Sequence, residues 1–151
     1  VSRHLTSALL VNKMIVDASN MIVGRLGAIV AKKALLGEKI DIVNAEKAVI
    51  SGKKQEVFAR FKQRVTRGTW STGPHYKRNS DRLLKRMIRD MLPYKKPLGK
   101  KAFKQIMCWE GVPAEFKDKE LLRFKEADAS KLVINNVSIH DLSRFLGGNV
   151  D

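Results

Sequence analysis

Apolar positions in this chain follow two periods, and each change of period marks a new element. Met14–Asp17 is a short, mainly apolar run, and Ala18-Ser19-Asn20 makes a turn after it. Ile22, Leu26, Ile29 and Val30 then recur at helical spacing, and that pattern runs to Leu36. Gly37 stands where a helix C-cap belongs. Ile40-Asp41-Ile42-Val43 is a second strand, so strand, helix and strand form a βαβ unit whose strands are parallel. Ala48-Val49-Ile50 is a third, shorter extended piece, closed by Ser51-Gly52.

A helix is predicted from about Lys53 to Arg67, with Val57, Phe58, Phe61 and Val65 as its apolar face. Gly68 to Asn79 is a loop broken at Gly73-Pro74. Ser80 is placed to cap the next helix, and Asp81 favours its positive end. That helix buries Leu83, Leu84, Met87, Ile88, Met91 and Leu92, and Pro93 ends it. Tyr94 to Gly99 is a basic loop, Lys100–Lys104 a short helical turn, and Ile106–Trp109 a strand. Ser138-x-x-Asp141 resembles a capping box for a last helix carrying Ile139, Leu142, Phe145 and Leu146. The expected class is α/β, a three-layer α/β/α sandwich on a small, mainly parallel sheet of about four strands. Val1–Lys13 reads as an extension before a single domain, 14–151.

Charge changes this picture. The chain has a net charge of +15, yet the 52 residues from Lys53 to Lys104 hold 17 Lys/Arg and only three acids, a net of +14. Ordinary solvated helix faces mix both signs. Here Arg60, Arg64 and Arg67 repeat as i, i+4, i+7 on one helix, and Arg82, Arg86 and Arg89 do so on the next. Two such rows repel unless an anion lies between them, and nucleic acid is the commonest polyanion. Trp70, Tyr76 and Tyr94 lie in loops beside these cations. That suits stacking on unpaired bases, although packing against the loop's own stems would account for Trp70 equally well. RNA is favoured over DNA, since nothing reads as a helix-turn-helix, zinc finger or basic zipper.

Other chemistry finds little support. Gly24-x-x-Gly27 is short of the three-glycine dinucleotide fingerprint, although Gly24-Arg25 can approach a phosphate. His4, His75 and His140 are too far apart in sequence for a metal-binding pair, and Asp81 and Asp90 alone do not make a metal-dependent nuclease. Cys108, the one cysteine, reads as a buried core thiol. Neither a cofactor, a metal, a small-molecule substrate nor a membrane partner is expected. The competing reading is a small RNA-processing or RNA-modifying enzyme on a nucleotide-binding α/β fold.

Several motifs occur in a telling order. Asp17-Ala18, Val23-Gly24-Arg25-Leu26, Asn44-Ala45-Glu46-Lys47 and Ser51-Gly52-Lys53 lead to Ile88-Arg89-Asp90-Met91-Leu92-Pro93, then Gly99-Lys100 and Trp109-x-Gly111. In this the chain resembles the large-subunit ribosomal protein L-thirteen family, from about Met14 to Phe116 and more loosely to Gly147. Gly73-Pro74-His75-Tyr76-Lys77-Arg78 is similar to the archaeal and eukaryotic branch, and the chain looks archaeal. It departs from the family at Asp90 and Gly27, where Gly and Ala are usual, and at Asn79, where Pro is common. The resemblance implies a non-catalytic cytoplasmic component of the large subunit, bound to large-subunit rRNA and neighbouring ribosomal proteins. The residues expected to meet phosphate are Arg25, Lys53, Lys54, Arg60, Arg64, Arg67, Lys77, Arg78, Arg82, Arg86, Arg89, Lys95, Lys96, Lys100, Lys101 and Lys104. Trp70, His75 and Tyr76 would add stacking or base contacts.

Overall fold

The computed structural model describes residues 13–149. Apart from Lys13, the expected extension lies outside the described residues. Strand β1 (Lys13–Asp17), helix α1 (Val23–Leu35) and strand β2 (Lys39–Val43) form the anticipated βαβ unit, with β1 and β2 paired in parallel from Lys13↔Lys39 to Asp17↔Val43. Gly37 takes the positive φ of 99° that the end of α1 demands. The apolar stripe of α1, Val23, Leu26, Val30, Ala31 and Ala34, is buried with Val16, Ile40 and Ile42 from one face of the strands. Strand period decides the rest: Ile15 and Val43 point the other way and pack on Phe116.

Three strands form the parallel ladder, in the order β1-β2-β4, with β4 spanning Ile106–Cys108. At the β1 edge, Leu122 adds a single parallel bridge to Val16, a stub where a fourth strand would lie. The extended piece anticipated near Ile50 is β3 (Val49–Ser51). It leaves the main sheet and pairs antiparallel with β5 (Asn136–Ser138), a strand too short for its pattern to show in sequence. β5 runs straight into the last helix, α5 (Ile139–Phe145). There the Ser138 hydroxyl accepts the Asp141 N–H at 3.1 Å, as the capping box requires. Helices α2 (Lys54–Thr66), α3 (Ser80–Arg89) and α4 (Pro97–Lys104) lie between these two halves of the chain. The sandwich is therefore mixed α/β and mainly parallel as expected, with one outer layer thinned to a 3-10 turn, Ala114–Phe116.

The C-terminal ends of β1 and β2 are joined through one carboxylate. Asp17 accepts the Ser19 N–H at 3.0 Å, the Ser19 hydroxyl at 2.7 Å and the Asn44 side-chain amide at 2.9 Å. Burial works against the charge on Asp17. The hydrogen bonds from Asn44 and Ser19, helped by Arg123, outweigh it and hold the carboxyl below its ordinary value of 3.8. A folded-state pKa below the unfolded one contributes stability that is present above pH 3.8, declines below it, and is lost as the pH falls through the lower folded value. Asp17→Asn is thus expected to destabilise the protein at neutral pH, and the gap to the native chain should narrow below pH 3.8. Urea titrations across that range test this, and a gap that does not change with pH would count against the ionised form.

Close packing fixes α4. A Cβ on Gly99 would run into the carbonyl of Pro93 and lie 2.9 Å from the Tyr94 nitrogen, both backbone atoms that cannot swing away. Gly24, in the first turn of α1, has nothing within 4 Å of such a Cβ. Gly99→Ala should therefore cost about 1–3 kcal/mol, whereas Gly24→Ala should be neutral or stabilise by up to about 1 kcal/mol. Denaturant midpoints of the two variants provide the comparison.

Candidate nucleic-acid interface

Helix α2 buries only Val57 and Phe61 fully, and Phe58 stacks on Phe145 of α5 with ring centroids 4.2 Å apart. This narrow apolar edge leaves Arg60, Arg64 and the helix-ending Arg67 exposed. Helix α3 buries Leu83, Leu84 and Ile88, and Leu92 follows them into the core. Its start differs from the sequence expectation. Ser80 is the first helical residue rather than the cap, and its N–H is held by the Glu110 carboxylate at 2.9 Å, a partner thirty residues away. Its end differs too. The helix stops at Arg89, Asp90 caps it, and Met91 swings out toward α1. The Met91 sulfur would lie 2.7 Å from a Cβ on Gly27, so glycine here leaves room for this side chain.

The aromatic rings of the basic segment carry cations. Lys54 lies 5.3 Å from the Phe58 centroid, Arg60 and Arg64 lie 5.9 and 5.3 Å from Phe61, and Arg86 lies 4.0 Å from Tyr76. Arg89 lies 4.7 Å from Tyr94, and Lys85 lies 5.0 Å from Phe103. Each such interaction is worth roughly 0.5–1 kcal/mol at exposed sites. Trp70 is the sixth aromatic of the segment and the exception. It is 91% exposed at the tip of a tight turn closed by the Thr69↔Gly73 bridge. Of the loop rings proposed from sequence for stacking, Tyr76 and Tyr94 thus have a face already engaged, and Trp70 has not packed on its stems.

The α2 Arg row meets Arg86 of the α3 row in one groove. Arg60 and Arg64 line a cavity of about 350 Å³ with Gly24, Ser51 and Asp90. Next to it, Arg64 and Arg67 of α2 face Tyr76, Arg86 and Asp90 across a cavity of about 290 Å³. Asp90, the departure from the family pattern, lies between the rows, and its carboxylate is 3.4 Å from Arg89. Beyond it, Arg67, Trp70, His75, Tyr76 and Arg78 border a further hollow of about 330 Å³ with a mostly polar lining.

The remaining candidates are less concentrated. Lys77, Lys95, Lys96, Lys100, Lys101 and Lys104 are exposed. Lys53 pairs with Glu56 at 3.9 Å, and Arg82 with Asp81 at 3.4 Å. Arg25 is turned toward the carbonyl of Glu126, at 3.4 Å, and is not among the residues lining the groove. Lys85 escapes a reading of the sequence because it falls off the i, i+4, i+7 row, yet it lines a cleft beside Arg82 and Arg89.

The competing nucleotide-binding reading requires an open crevice at the C-terminal ends of the parallel strands. There the polar groups bond within the chain: Asp17 accepts from Ser19 and from Asn44, and Glu46 accepts the Gly111 N–H at 3.0 Å. Cys108 is buried, as anticipated, and burial pushes its thiol up to about 12. Among the described residues no three His, Cys, Asp or Glu side chains converge as a metal site, and no helix is long and apolar enough to cross a membrane.

Comparison with known proteins agrees with the motif order. The chain is 43% identical over 134 residues to the large ribosomal subunit protein uL13 of Methanococcoides burtonii, covering 88% of this chain and 96% of that protein. It is also 43% identical over 138 residues to its counterpart in Methanococcus maripaludis, covering 89% and 97%. The counterpart in Archaeoglobus fulgidus is 40% identical over 135 residues, covering 88% and 86%. Residues 12–115 match the family described as ribosomal protein L13. With these archaeal relatives spanning most of its length, the chain belongs to that family of ribosomal proteins, which is structural and not enzymatic.

Proposed function

We propose that this chain is a non-catalytic constituent of the cytoplasmic large ribosomal subunit that stabilises folded large-subunit rRNA. The contact surface is the groove between α2 and α3 with the loop that joins them. One observation carries this reading: the rows Arg60-Arg64-Arg67 and Arg82-Arg86-Arg89 come from separate helices, yet their members line adjoining cavities. Guanidinium groups seated on rings are held in place before binding, so less side-chain freedom is lost when phosphate arrives. Contacts of this kind read the shape of an RNA backbone and carry little sequence information. Trp70 adds an open ring for stacking or wedging. The stretch from Glu110 to Asp128 has no excess of positive charge and suits contact with neighbouring ribosomal proteins.

The salt dependence of binding tests the surface. Changing Arg60, Arg64 and Arg67 together to Gln should flatten the dependence of rRNA-fragment affinity on salt by roughly 0.7–0.9 log units for each phosphate that is no longer neutralised. An unchanged slope would mean that this row faces solvent in the complex. Asp90 gives an independent check. Its carboxylate lies where a phosphate would approach, so Asp90→Asn should raise affinity for the same fragment roughly two- to five-fold at fixed salt, the scale of an exposed charge pair. Equal affinities would place Asp90 outside the RNA-binding surface.

A further inference from the structure

A second cleft opens on the other side of the α3 Arg row. At about 430 Å³ it exceeds either cavity of the groove, and it lies within the roughly 300–1,000 Å³ typical of ligand sites. α3 forms one wall, Phe103 of α4 another, and the third is β4, an edge strand of its sheet. The two halves of this cleft differ in chemistry. Its lining holds five cations, Lys77, Arg82, Lys85, Arg86 and Arg89, and one acid, Asp81, while Arg89 also meets Asp90 at 3.4 Å from outside the cleft. Its remaining surface is mainly apolar and partly uncovered: Met107 is 41% exposed, and Trp109 is 37% exposed even though its indole N–H donates to Asp41 at 3.1 Å and its ring meets Phe116 edge-on. Lys85 leans across this surface, 5.0 Å from the Phe103 centroid and 3.4 Å from the Met107 sulfur.

Phosphate alone would satisfy the cations and leave the apolar wall wet. An apolar ligand would leave the cations unpaired. A duplex backbone supplies phosphates and no accessible base face. One unit that matches both halves is a nucleotide whose base has left its stack, since every base offers a flat apolar face beside an anionic linkage. We propose that the α3–β4 cleft takes the base of one unpaired nucleotide of the bound RNA. The base lies against Met107, Trp109 and Phe103, and the adjoining phosphates pair with Lys77 and Arg82. This assignment rests on the RNA-binding reading above and adds a base pocket to a surface otherwise confined to the backbone.

The chain has two tryptophans, so Trp70→Phe makes Trp109 the sole emitter. This full-length variant is titrated with single-stranded oligoadenylate and with an RNA duplex of equal phosphate number. The expected result is that both bind, while only the single strand quenches Trp109. Adding Met107→Ala should then weaken oligoadenylate binding at least roughly five-fold, the scale of losing one buried apolar contact, and leave duplex binding unchanged. Binding of both RNAs without selective quenching overturns the base pocket and leaves the groove reading standing. Binding of the duplex alone overturns the pocket and leaves the groove reading standing, whereas failure of both RNAs to bind overturns the groove reading and the pocket with it. Quenching by oligoglutamate in preference to oligoadenylate assigns the cleft to an acidic peptide and overturns the proposal as well.

Discussion

Repulsion among like charges is the constraint on which this structure depends. Two unit charges 4 Å apart interact by about 4 kcal/mol at the effective dielectric of a protein surface, a large share of the stability of any small domain. A segment with a net charge of +14 over 52 residues cannot be compact unless its cations are spaced, solvated or locally offset. All three devices are visible. The helical repeat spreads the Arg residues along rows. The narrow buried edge of α2 leaves its row in water. Rings beneath Arg64, Arg86, Arg89 and Lys85 supply the negative face of a quadrupole where acids are scarce.

The same constraint explains how the chain divides its work. The βαβ unit and its hydrogen-bonded crossover at Asp17 and Asn44 hold few cations and supply much of the close-packed core. The basic helices attach to that core by thin apolar seams, and tertiary interactions from the far end of the chain secure them. Phe145 stacks on Phe58, Glu110 holds the first N–H of α3, and the Ser143 hydroxyl donates to the Arg78 carbonyl at 2.6 Å. The weakly charged C-terminal third therefore clamps the basic surface from behind, a role its composition does not announce.

Features set by local periodicity were legible in the sequence. The parallel βαβ unit, the C-cap at Gly37, the apolar faces of α2 and α3 and the Ser138 cap all depend on residues within one or two turns of each other. Features set by distant partners were not. β5 is three residues long and exists because β3 lies beside it. Ser80 starts the helix instead of capping it, and its N–H goes to Glu110, which no window around Ser80 contains. The cation set was legible because exposed Arg rows follow from helical spacing. Its grouping was not, since Arg64 meets Arg86 only after the loop between them has folded. Lys85 and the uncovered side of β4 became visible only once α3 was laid along the sheet edge.

Asp90 shows why a single charge can matter in such a surface. A carboxylate between two Arg rows offsets part of their repulsion in the free protein, and if the groove takes RNA as proposed, the same carboxylate opposes the phosphate that would otherwise perform that task. On that proposal the residue trades stability of the unbound chain against affinity in the complex. A glycine at this position would leave the rows to be neutralised by RNA alone, coupling order in α2 more tightly to binding. With aspartate the groove is partly neutralised from within. Its guanidinium groups can then hold their spacing before any polyanion arrives, and the proposed binding would exchange one set of counter-charges for another across a surface that is already formed.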